Sequence, residues 1–491
     1  MIVTAKLGYP ATIIGVNVAL VDSGGLKRRE RDVLKVLWFT NIELPAVARR
    51  LSGQARLAGG WMESLRQALQ SYALTAGDAG AQAAGDAGGA EARAAGGAGG
   101  EAPRSRASLE LGVAAMGPTP FDPFDEDGVR YFHLQPPPGF RGFRAVAERW
   151  KHTRSDAPAL AQARAVVDGF RPDLIHIHGS EGPMGLLAGM VEPPVLVSLQ
   201  GILVVYERFF FAGLPVGEVA RDAISLHFLK GEGMLHTHWS MEHAAARELQ
   251  ILRNCRYFAG RTDWDKSVLM AANPAARYYY GGEVLRPEFY AAHWAPSQDG
   301  PFRVYSTGGP APYKGLVNLL EAVALLRGNT RRPAELRISG EVMSTGMGPV
   351  MERAMRRLGL EGAVVWLGPL GPEALIAELQ TAGVYVHPSL ADNSPNALAE
   401  AMVVGVPCVA SAAGGVPSMI TGGVDGLLCA PNDVYDLAGK IAAIEADVQL
   451  AGGLAGAARA RGRERHDPAT IAAATMDMYA DIIERHKREK P

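Results

Sequence analysis

Strand-like and helix-like segments alternate along the second half of the chain, and this alternation limits the folds that are open to it. Apolar runs such as PFRVYSTGG, AELRISGE, AVVWLGPL and GVYVHPSL are each followed by a segment with helical spacing of its apolar residues. Regular alternation of strands and helices is typical of a doubly wound parallel sheet. We therefore predict an α/β domain over residues 296–467.

The first half of the chain carries a weaker form of the same pattern. The run DVLKVLWFTNIEL predicts a buried first strand, and LAGGWMESLRQAL predicts a helix that opens on Gly59 and Gly60. The segment RPDLIHIHG predicts a later strand with His176 and His178 on one face. These elements predict a second α/β domain over residues 34–295. Two such domains in a chain of 491 residues enclose a cleft, which is a favoured ligand site.

Two segments fall outside this alternation. Residues 1–33 precede the first predicted strand, and we expect an extension there. Residues 76–102 include 21 Ala or Gly among 27, a composition that buries too little apolar surface to offset the entropy of ordering. We therefore predict a disordered insert over residues 75–108.

Charge and cysteine content exclude several classes of protein. A formal net charge of -2 gives no general attraction to nucleic acid. Cys255, Cys408 and Cys429 are odd in number and lack CxxC spacing, so we expect neither a disulfide framework nor a zinc site. No apolar run is long enough to span a bilayer, and we expect a cytoplasmic protein. The basic clusters LKRRER and ERHKREK favour either a solvated surface or a weak peripheral contact with the inner membrane face.

The stretch DNSPNALAEAM predicts a helix start with a free N-terminus. Ser394 is predicted to be the N-cap, and Pro395 suits the first helical position because it has no N–H to satisfy. The N–H groups of Asn396, Ala397 and Leu398 would then point toward the preceding loop. Together with the helix dipole, they form a site suited to phosphate.

Two carboxylates flank this helix start, with seven residues between them. Asp392 lies in the loop, where it would meet a group attached beyond the phosphates. Glu400 lies on the helix and is a candidate acceptor for hydroxyl groups such as those of a ribose. Lys314 follows a predicted strand and is either a point charge for a leaving diphosphate or a solvated surface lysine. These parts favour a nucleotide diphosphate as ligand, without defining the reaction.

The same motifs resemble those of GT-B fold glycosyltransferases of family 4. The run DNSPNALAEAMVVGVPCVASAAGG is similar to the family's C-terminal signature of two acids and a GVP segment, and YKGLVNLLEAVALL resembles its Lys-Gly motif. The resemblance implies two Rossmann-like domains that face a cleft. It also implies transfer of a sugar from a nucleotide-diphosphate donor to a glycan or lipid-linked acceptor, with retention of configuration and without a metal or other cofactor.

The resemblance implies a role for each matching residue. Lys314 and the amides of residues 396–398 would hold the diphosphate, Glu400 the ribose, and Asp392 would lie beside the sugar ring. The glycine loop of the first domain corresponds to residues 59–60, a further donor-binding segment. The base would lie near residues 368–370, and a final helix over residues 468–491 would cross back to the first domain.

The chain departs from the family pattern at four positions. The first acid is Asp392 in place of the usual Glu, Gly309 stands where an Arg is common, and Pro395 replaces a glycine and its N–H. Gln200 stands where the family often has a His, and an amide cannot exchange a proton near neutral pH. Either His178 takes that role or the step needs no base there, so we treat Asp392, Gln200 and His178 as the candidate catalytic residues.

Two other functions stay open on the sequence. A sugar-nucleotide epimerase shares the two-domain architecture but needs no acceptor. A catalytically degenerate nucleotide-sugar binding protein would explain Gly309 and Gln200. A nicotinamide oxidoreductase is disfavoured, because no GxGxxG follows the first predicted strand.

Overall fold

The structure of the protein is a computed structural model that describes residues 33–42, 44–52, 60–85, 108–136, 142–151, 155–296 and 299–489. Residues 1–32 of the predicted extension lie outside the described residues. Gly59 and the part of the predicted insert from 86 to 107 lie outside them too.

The first domain is built on one sheet. Its strands are β1 Val33–Thr40, β2 Ser108–Met116, β3 Phe124–Glu126, β4 Val129–Leu134, β5 Leu174–His178, β6 Val195–Ser198, β7 Tyr257–Gly260 and β8 Arg277–Tyr280. They lie in the order β3-β4-β2-β1-β5-β6-β7-β8, and all neighbours pair in parallel except β3 with β4. The edge strand β3 reaches its neighbour through a tight turn, which only antiparallel strands allow.

Helices cover both faces of this sheet. The helices of this part of the chain are α1 Pro45–Ser52, α2 Gly60–Gly85, α3 Gly142–Lys151, α4 Ala157–Phe170, α5 Leu203–Tyr206, α6 Val216–Ala223, α7 Leu226–Leu229, α8 Met234–Asn254 and α9 Asp263–Ala272. The short helix α10 Pro287–Ala291 follows them and packs on the second domain, where Phe289 joins the core cluster of Leu398. One buried apolar cluster lies on each side of β1, since Val36 and Trp38 belong to one cluster and Leu37 and Phe39 to the other. A strand buried on both faces in this way is typical of a parallel sheet inside an α/β domain.

The second domain has a smaller, fully parallel sheet. Its strands are β9 Phe302–Thr307, β10 Ala334–Ser339, β11 Val364–Gly368, β12 Val384–His387, β13 Cys408–Ser411 and β14 Leu427–Cys429. The order is β11-β10-β9-β12-β13-β14. The helices are α11 Leu316–Leu326, α12 Gly348–Leu358, α13 Pro372–Thr381, α14 Asn396–Val404, α15 Val434–Ala446, α16 Val448–Arg465 and α17 Pro468–Glu489.

Both sheets reverse their strand order beside their first strand. In the first domain β1 lies between β2 and β5, and in the second β9 lies between β10 and β12. At such a point the loops that follow the strands diverge to opposite faces and leave a crevice at the carboxyl edge. The predicted fold class of two doubly wound α/β domains is therefore confirmed.

The helix that precedes the Ala/Gly-rich segment is longer than the sequence predicts. Disorder is predicted from residue 75, but α2 continues to Gly85. That prediction is wrong for residues 75–85, because alanine has the highest helix propensity and extends a helix that the preceding apolar face has already nucleated.

The final helix α17 packs on the first domain. The hydroxyl of Tyr479 accepts a hydrogen bond from Nε1 of Trp38 at 3.1 Å and lies 2.7 Å from Nδ1 of His176. Ile471 packs against Gly282 so closely that a methyl group on the glycine would lie 2.4 Å from its Cγ1 atom. The C-terminal segment thereby completes the core of the first domain.

No single helix among the described residues is long and apolar enough to cross a bilayer. Helix α15 and the segment Val448–Glu489, which contains α16 and α17, have the necessary length and apolar composition only as a pair bent by 103°. Leu437, Ile441 and Ile444 of this pair are buried in the core of the second domain. Their apolar character is thus used in packing.

Candidate active site between the two sheets

Asp392 lies in the loop after β12, where three groups hold its carboxylate. Nζ of Lys314 donates to Oδ2 at 2.7 Å, and Nε2 of His387 lies 3.1 Å from the same oxygen. The backbone N–H of Asn393 donates to Oδ1 at 3.1 Å. Burial alone would raise the pKa of Asp392, but Lys314 and His387 outweigh it and lower that pKa far below its usual range. The carboxylate is therefore ionised, and it fixes the position of Lys314.

Gly315 explains how Lys314 reaches this loop. Its φ angle is 73°, and a methyl group on it would lie 2.0 Å from the carbonyl oxygen of Pro388. Only glycine permits both the left-handed backbone and this close approach. Leu390 then donates its N–H to the carbonyl of Tyr313 at 2.7 Å, which joins the loops after β9 and β12. Gly315 of the Lys-Gly motif thus permits the close packing of the two loops that brings Lys314 to Asp392.

The N-terminus of α14 differs from the predicted one by one residue. Pro395, with φ -68° and ψ 119°, is the N-cap, and Asn396 is the first helical residue. Ser394 makes no capping hydrogen bond, and its Oγ lies 3.7 Å from Sδ of Met419. The prediction that Ser394 caps the helix is therefore wrong, because Pro395, and not Ser394, adopts the extended conformation next to the first helical residue.

The amides of this first turn are also used differently. The N–H of Leu398 donates to the carbonyl of Pro395 at 3.1 Å, so it is not free for a ligand as predicted. The N–H groups of Asn396 and Ala397 have no acceptor among the described residues. Two amides, not three, remain at the positive end of the helix.

Glu400 forms an ion pair with a residue that the sequence does not single out. Nη2 of Arg286, in the segment between the domains, donates to Oε1 of Glu400 at 2.7 Å. Burial raises the pKa of Glu400, while Arg286 opposes that shift. Gly60 gives Arg286 its space, because a methyl group on this glycine would lie 2.6 Å from Cδ of Arg286. The glycine at the start of α2 thus supports the second acid of the motif.

His178 and Gln200 lie at the carboxyl ends of β5 and β6, and both are unsatisfied. Three buried atoms lack a hydrogen-bond partner in the part of the chain that is described: both ring nitrogens of His178 and Nε2 of Gln200. Burial lowers the pKa of His178 well below its ordinary value, so the ring is neutral. It packs edge-on against Trp38, with ring centroids 4.5 Å apart.

His176, two residues earlier on the same face, is a structural residue. Its Nδ1 lies 2.7 Å from the hydroxyl of Tyr479, and its Nε2 lies 2.7 Å from Oγ of Ser198. Burial lowers the pKa of His176 to about 3. The two histidines therefore share a strand face but differ in their hydrogen bonding.

Asn393 joins the two sheet edges, which the sequence does not reveal. Its Nδ2 donates to Oδ2 of Asp265 at 2.9 Å and to the carbonyl of Leu199 at 3.2 Å. Its Oδ1 accepts from the Thr262 hydroxyl at 2.6 Å. All three side chains are buried, so the residue beside Asp392 fixes the two domains to each other in this structure.

A second polar cluster lies beside the start of α14. Glu283 accepts from Arg261 at 2.6 Å and from Nδ2 of Asn396 at 2.9 Å. A cavity of about 170 Å³ opens next to it, lined also by Ser394 and Arg465. No sequence motif marks these residues, since Arg261 and Glu283 belong to the first domain and meet Asn396 only through packing.

Glu207, His238 and Glu242 are a candidate metal-ligand set away from the motif residues. Their ligand atoms lie within 4.8 Å of one another. Nε2 of His238 already lies 3.2 Å from Oε1 of Glu207, so the direct contact of these two side chains accounts for their proximity.

Comparison with known families and curated proteins links the second domain to enzymes of sugar transfer. The family described as Glycosyl transferases group 1 matches residues 295–461. A glycogen synthase of Mycobacterium tuberculosis is 29% identical over 212 residues, which cover 42% of this chain and 50% of that protein. The MMP alpha-(1->4)-mannosyltransferase of Mycolicibacterium hassiacum is 32% identical over 177 residues, 35% of this chain and 41% of that protein. The chain thus spans half or less of the length of these relatives.

Solved structures extend the likeness to both domains. The sucrose-phosphate synthase of Thermosynechococcus elongatus aligns over 92% of this chain and 100% of that chain, with a TM-score of 0.63 and 18% identity. The Anabaena protein HepE, solved in complex with UDP-glucose, aligns over 93% of this chain and 100% of that chain, with a TM-score of 0.55 and 16% identity. These alignments establish the GT-B fold for the described chain.

Proposed function

Because its residues 295–461 match the group 1 glycosyltransferases, we propose that the chain transfers a hexose from a nucleotide-diphosphate donor, with retention, to a glycan or lipid-linked acceptor. The observation that carries this proposal is the set of Lys314, Asp392 and His387 beside the open N-terminus of α14. It joins a fixed cation and unpaired amides, which together suit a diphosphate. Relatives such as glycogen synthase suggest a role in polysaccharide or glycoconjugate synthesis.

The leaving diphosphate would lie between Lys314 and α14. The N–H groups of Asn396 and Ala397 would donate to one phosphate, and Lys314 would neutralise the charge that builds on the other. These groups supply the positive charge that a metal ion provides in other transferases, so we propose a reaction that needs none. Asp392 keeps Lys314 in place before the donor arrives, which lowers the cost of reorganisation in the transition state.

Glu400 would bind the ribose with its second oxygen. Oε1 is held by Arg286, whereas Oε2 has no hydrogen-bond partner among the described residues and is available to a hydroxyl. A carboxylate anchored on one oxygen keeps the other in a fixed direction, which favours a single orientation of the nucleoside.

Gln200 and His178 would face the sugar from the first domain. Both are buried and unsatisfied, and both lie at the carboxyl edge of the first sheet. A neutral imidazole and an amide can donate to and accept from hydroxyl groups. Neither is a strong base here, so the proton of the acceptor hydroxyl would leave with the diphosphate.

The experiment is a donor screen with purified protein. UDP-, GDP- and ADP-sugars are offered with and without a mixture of glycan and lipid-linked acceptors, and UDP-glucose is tested first because a structural neighbour binds it. We expect acceptor-dependent release of the nucleotide diphosphate. Glu400→Ala should weaken donor binding about 10- to 100-fold, whereas Glu361→Ala, an exposed carboxylate on the same domain, should not.

Three results would contradict the proposal. A changed sugar without any acceptor would indicate an epimerase. Binding of nucleotide sugar without transfer would indicate a degenerate binding protein. No binding of any nucleotide sugar would remove the donor site altogether.

A further inference from the structure

Glu181 is a carboxylate of the first domain that no motif singles out. It lies three residues after β5, and its Oε1 accepts the backbone N–H of Gly201 at 3.0 Å, just after β6. Its Oε2 is buried and has no hydrogen-bond partner among the described residues. A buried oxygen of this kind costs free energy unless a donor binds it, so Oε2 is a free acceptor that a hydroxyl group can satisfy.

Two glycines give this carboxylate its place. Gly179 has a φ angle of 105°, and a methyl group on it would lie 2.2 Å from Oε2 of Glu181. A methyl group on Gly201 would lie 3.0 Å from Oε1. The ends of β5 and β6 therefore form a notch that the carboxylate fills, and any side chain at Gly179 would displace it.

Two residues of helix α8 form hydrogen bonds with the loops that make up the notch. Nη2 of Arg247 donates to the backbone carbonyl of Glu181 at 2.5 Å. The next residue, Glu248, accepts from the hydroxyl of Ser180 at 2.5 Å and from the N–H of Val204 at 2.8 Å. Since these bonds fix the loops after both strands, the direction of the Glu181 carboxylate is set by the fold.

The notch faces the same cleft as the Asp392 loop. A methyl group on Gly201 would lie 3.1 Å from the ring of Tyr206, and the rings of Tyr206 and Tyr313 have centroids 5.3 Å apart. Tyr313 directly precedes Lys314. Burial raises the pKa of the Tyr206 phenol, and the negative charges of Asp392 and Glu181 raise it further.

The neighbours of Glu181 match a polyhydroxylated ligand. A methyl group on Gly179 would also lie 3.8 Å from Oε1 of Gln200, so the side chains of Gln200 and Glu181 lie beside the same glycine. Nε2 of Gln200 is a buried donor without a partner, and Oε2 is a buried acceptor without one. An acceptor beside a donor is the arrangement that binds two neighbouring hydroxyl groups of a sugar.

We propose that Glu181 accepts a hydrogen bond from a hydroxyl of the transferred sugar while Gln200 donates to the adjacent hydroxyl. This makes Glu181 a specificity-determining residue, and it rests on the proposed function. Burial raises the pKa of the free Glu181 carboxyl, and backbone N–H groups oppose that shift. A hydroxyl on Oε2 would further favour the ionised form.

The test uses Glu181→Gln in the full chain. The amide oxygen of the variant can still accept from Gly201, so the notch stays filled, but an NH₂ group replaces the accepting Oε2. We expect an unchanged melting temperature and a loss of kcat/KM of about 10- to 100-fold with the preferred donor among UDP-glucose, UDP-galactose, UDP-N-acetylglucosamine and GDP-mannose. Affinity for the free nucleotide diphosphate should change less than about twofold, because the notch touches only the sugar.

Deoxy forms of that donor distinguish a direct contact from a structural effect. The kcat/KM of the wild type should fall by a similar factor with the one deoxy donor that lacks the hydroxyl bound by Glu181. The kcat/KM of Glu181→Gln should fall little further with that donor, because the variant has already lost this hydrogen bond. Equal losses on every deoxy donor, or a kcat/KM within about threefold of the wild type, would overturn the proposal. Failure of the wild type to bind any nucleotide would instead contradict the proposed function.

Discussion

The two edges that face the cleft hold their carboxylates in different ways. At the edge of the second domain, Asp392 holds Lys314 and His387, and Glu400 holds Arg286. At the edge of the first domain, His178, Glu181 and Gln200 each have a buried atom without a partner among the described residues. The two acids of the second edge are thus paired with cations in the absence of a ligand, whereas Glu181 of the first edge is held by a backbone N–H. Nδ1 of His387 at the second edge is also buried without a partner among the described residues.

This difference matches the chemistry proposed for each edge. A diphosphate carries the same charge in every donor, so a rigid cation held by an ion pair suits it. Sugars differ in the direction of single hydroxyl groups, and unsatisfied donors and acceptors discriminate among them strongly.

The largest effect is expected from Lys314→Ala. The variant removes the cation that faces the leaving diphosphate and leaves Asp392 buried beside His387 alone. We expect kcat/KM to fall about 10²- to 10³-fold, as for removal of one preorganised charge donor. Steady-state kinetics measure the loss. Lys314→Arg keeps the charge and should retain more activity than the alanine variant, and equal losses would show that charge is not what matters here.

A smaller effect is expected from Asn393→Ala, which breaks the bridge between the edges. Thr262 and Asp265 each lose a buried hydrogen bond to the Asn393 side chain. The free energy of unfolding should fall by about 3 kcal/mol. Urea denaturation measures this, with Asn329→Ala, an exposed asparagine, as the control. An unchanged midpoint would show that the bridge does not stabilise the protein.

The two edges should also respond to pH in opposite directions. The lowered pKa of Asp392 stabilises the fold above the unfolded value of that pKa, and this stability is lost as pH falls through the folded value. Glu248, beneath the Glu181 notch, has a pKa that burial raises from 4.5 to about 7. The folded state therefore holds this proton more tightly than the unfolded state, and stability is lost as pH rises through that window.

Glu248→Gln isolates this second contribution. The wild type should lose on the order of 2 kcal/mol of unfolding free energy between pH 5 and pH 8 through this group, and the variant should lose less. Urea denaturation of both proteins at the two pH values gives the difference. Parallel pH profiles would show that Glu248 titrates normally in the folded protein.

The smallest effect is expected from Gly309→Arg, which strengthens the edge of the second domain. A methyl group on Gly309 meets only Cγ of Lys314, at 3.8 Å, so a side chain fits. The added cation should tighten UDP binding by about 3- to 10-fold. Calorimetric titration measures it, with Gly309→Ala as the control. Weaker binding would mean that the two cations repel each other more than they attract the phosphates.

The sequence predicts best where neighbours along the chain determine the geometry. The strand–helix alternation predicted both sheets, and the segment from β12 into α14 predicted the helix start within one residue. The meeting of Lys314 with Asp392 follows from parallel strands, since their loops emerge at one edge. Ser394 was misplaced because the sequence does not show which residue adopts the extended conformation of the cap.

Long-range packing accounts for what the sequence could not reveal. Arg286 and Glu400 are 114 residues apart, and Asn393 and Asp265 are 128 residues apart. No periodicity or spacing brings such residues together, because their contact depends on how two separate domains pack. Glu181 was missed for the same reason, as its environment is built from β5, β6 and α8 together.

The most direct test of this division of labour is a pair of binding titrations. Free UDP and the preferred nucleotide sugar are titrated by calorimetry into the wild type, Lys314→Ala and Glu181→Gln. We predict that Lys314→Ala loses affinity for both ligands, whereas Glu181→Gln binds UDP as the wild type does and loses only the affinity that the sugar adds. Equal losses of affinity for both ligands in both variants would contradict the account, because the two edges would then not bind separate parts of the donor.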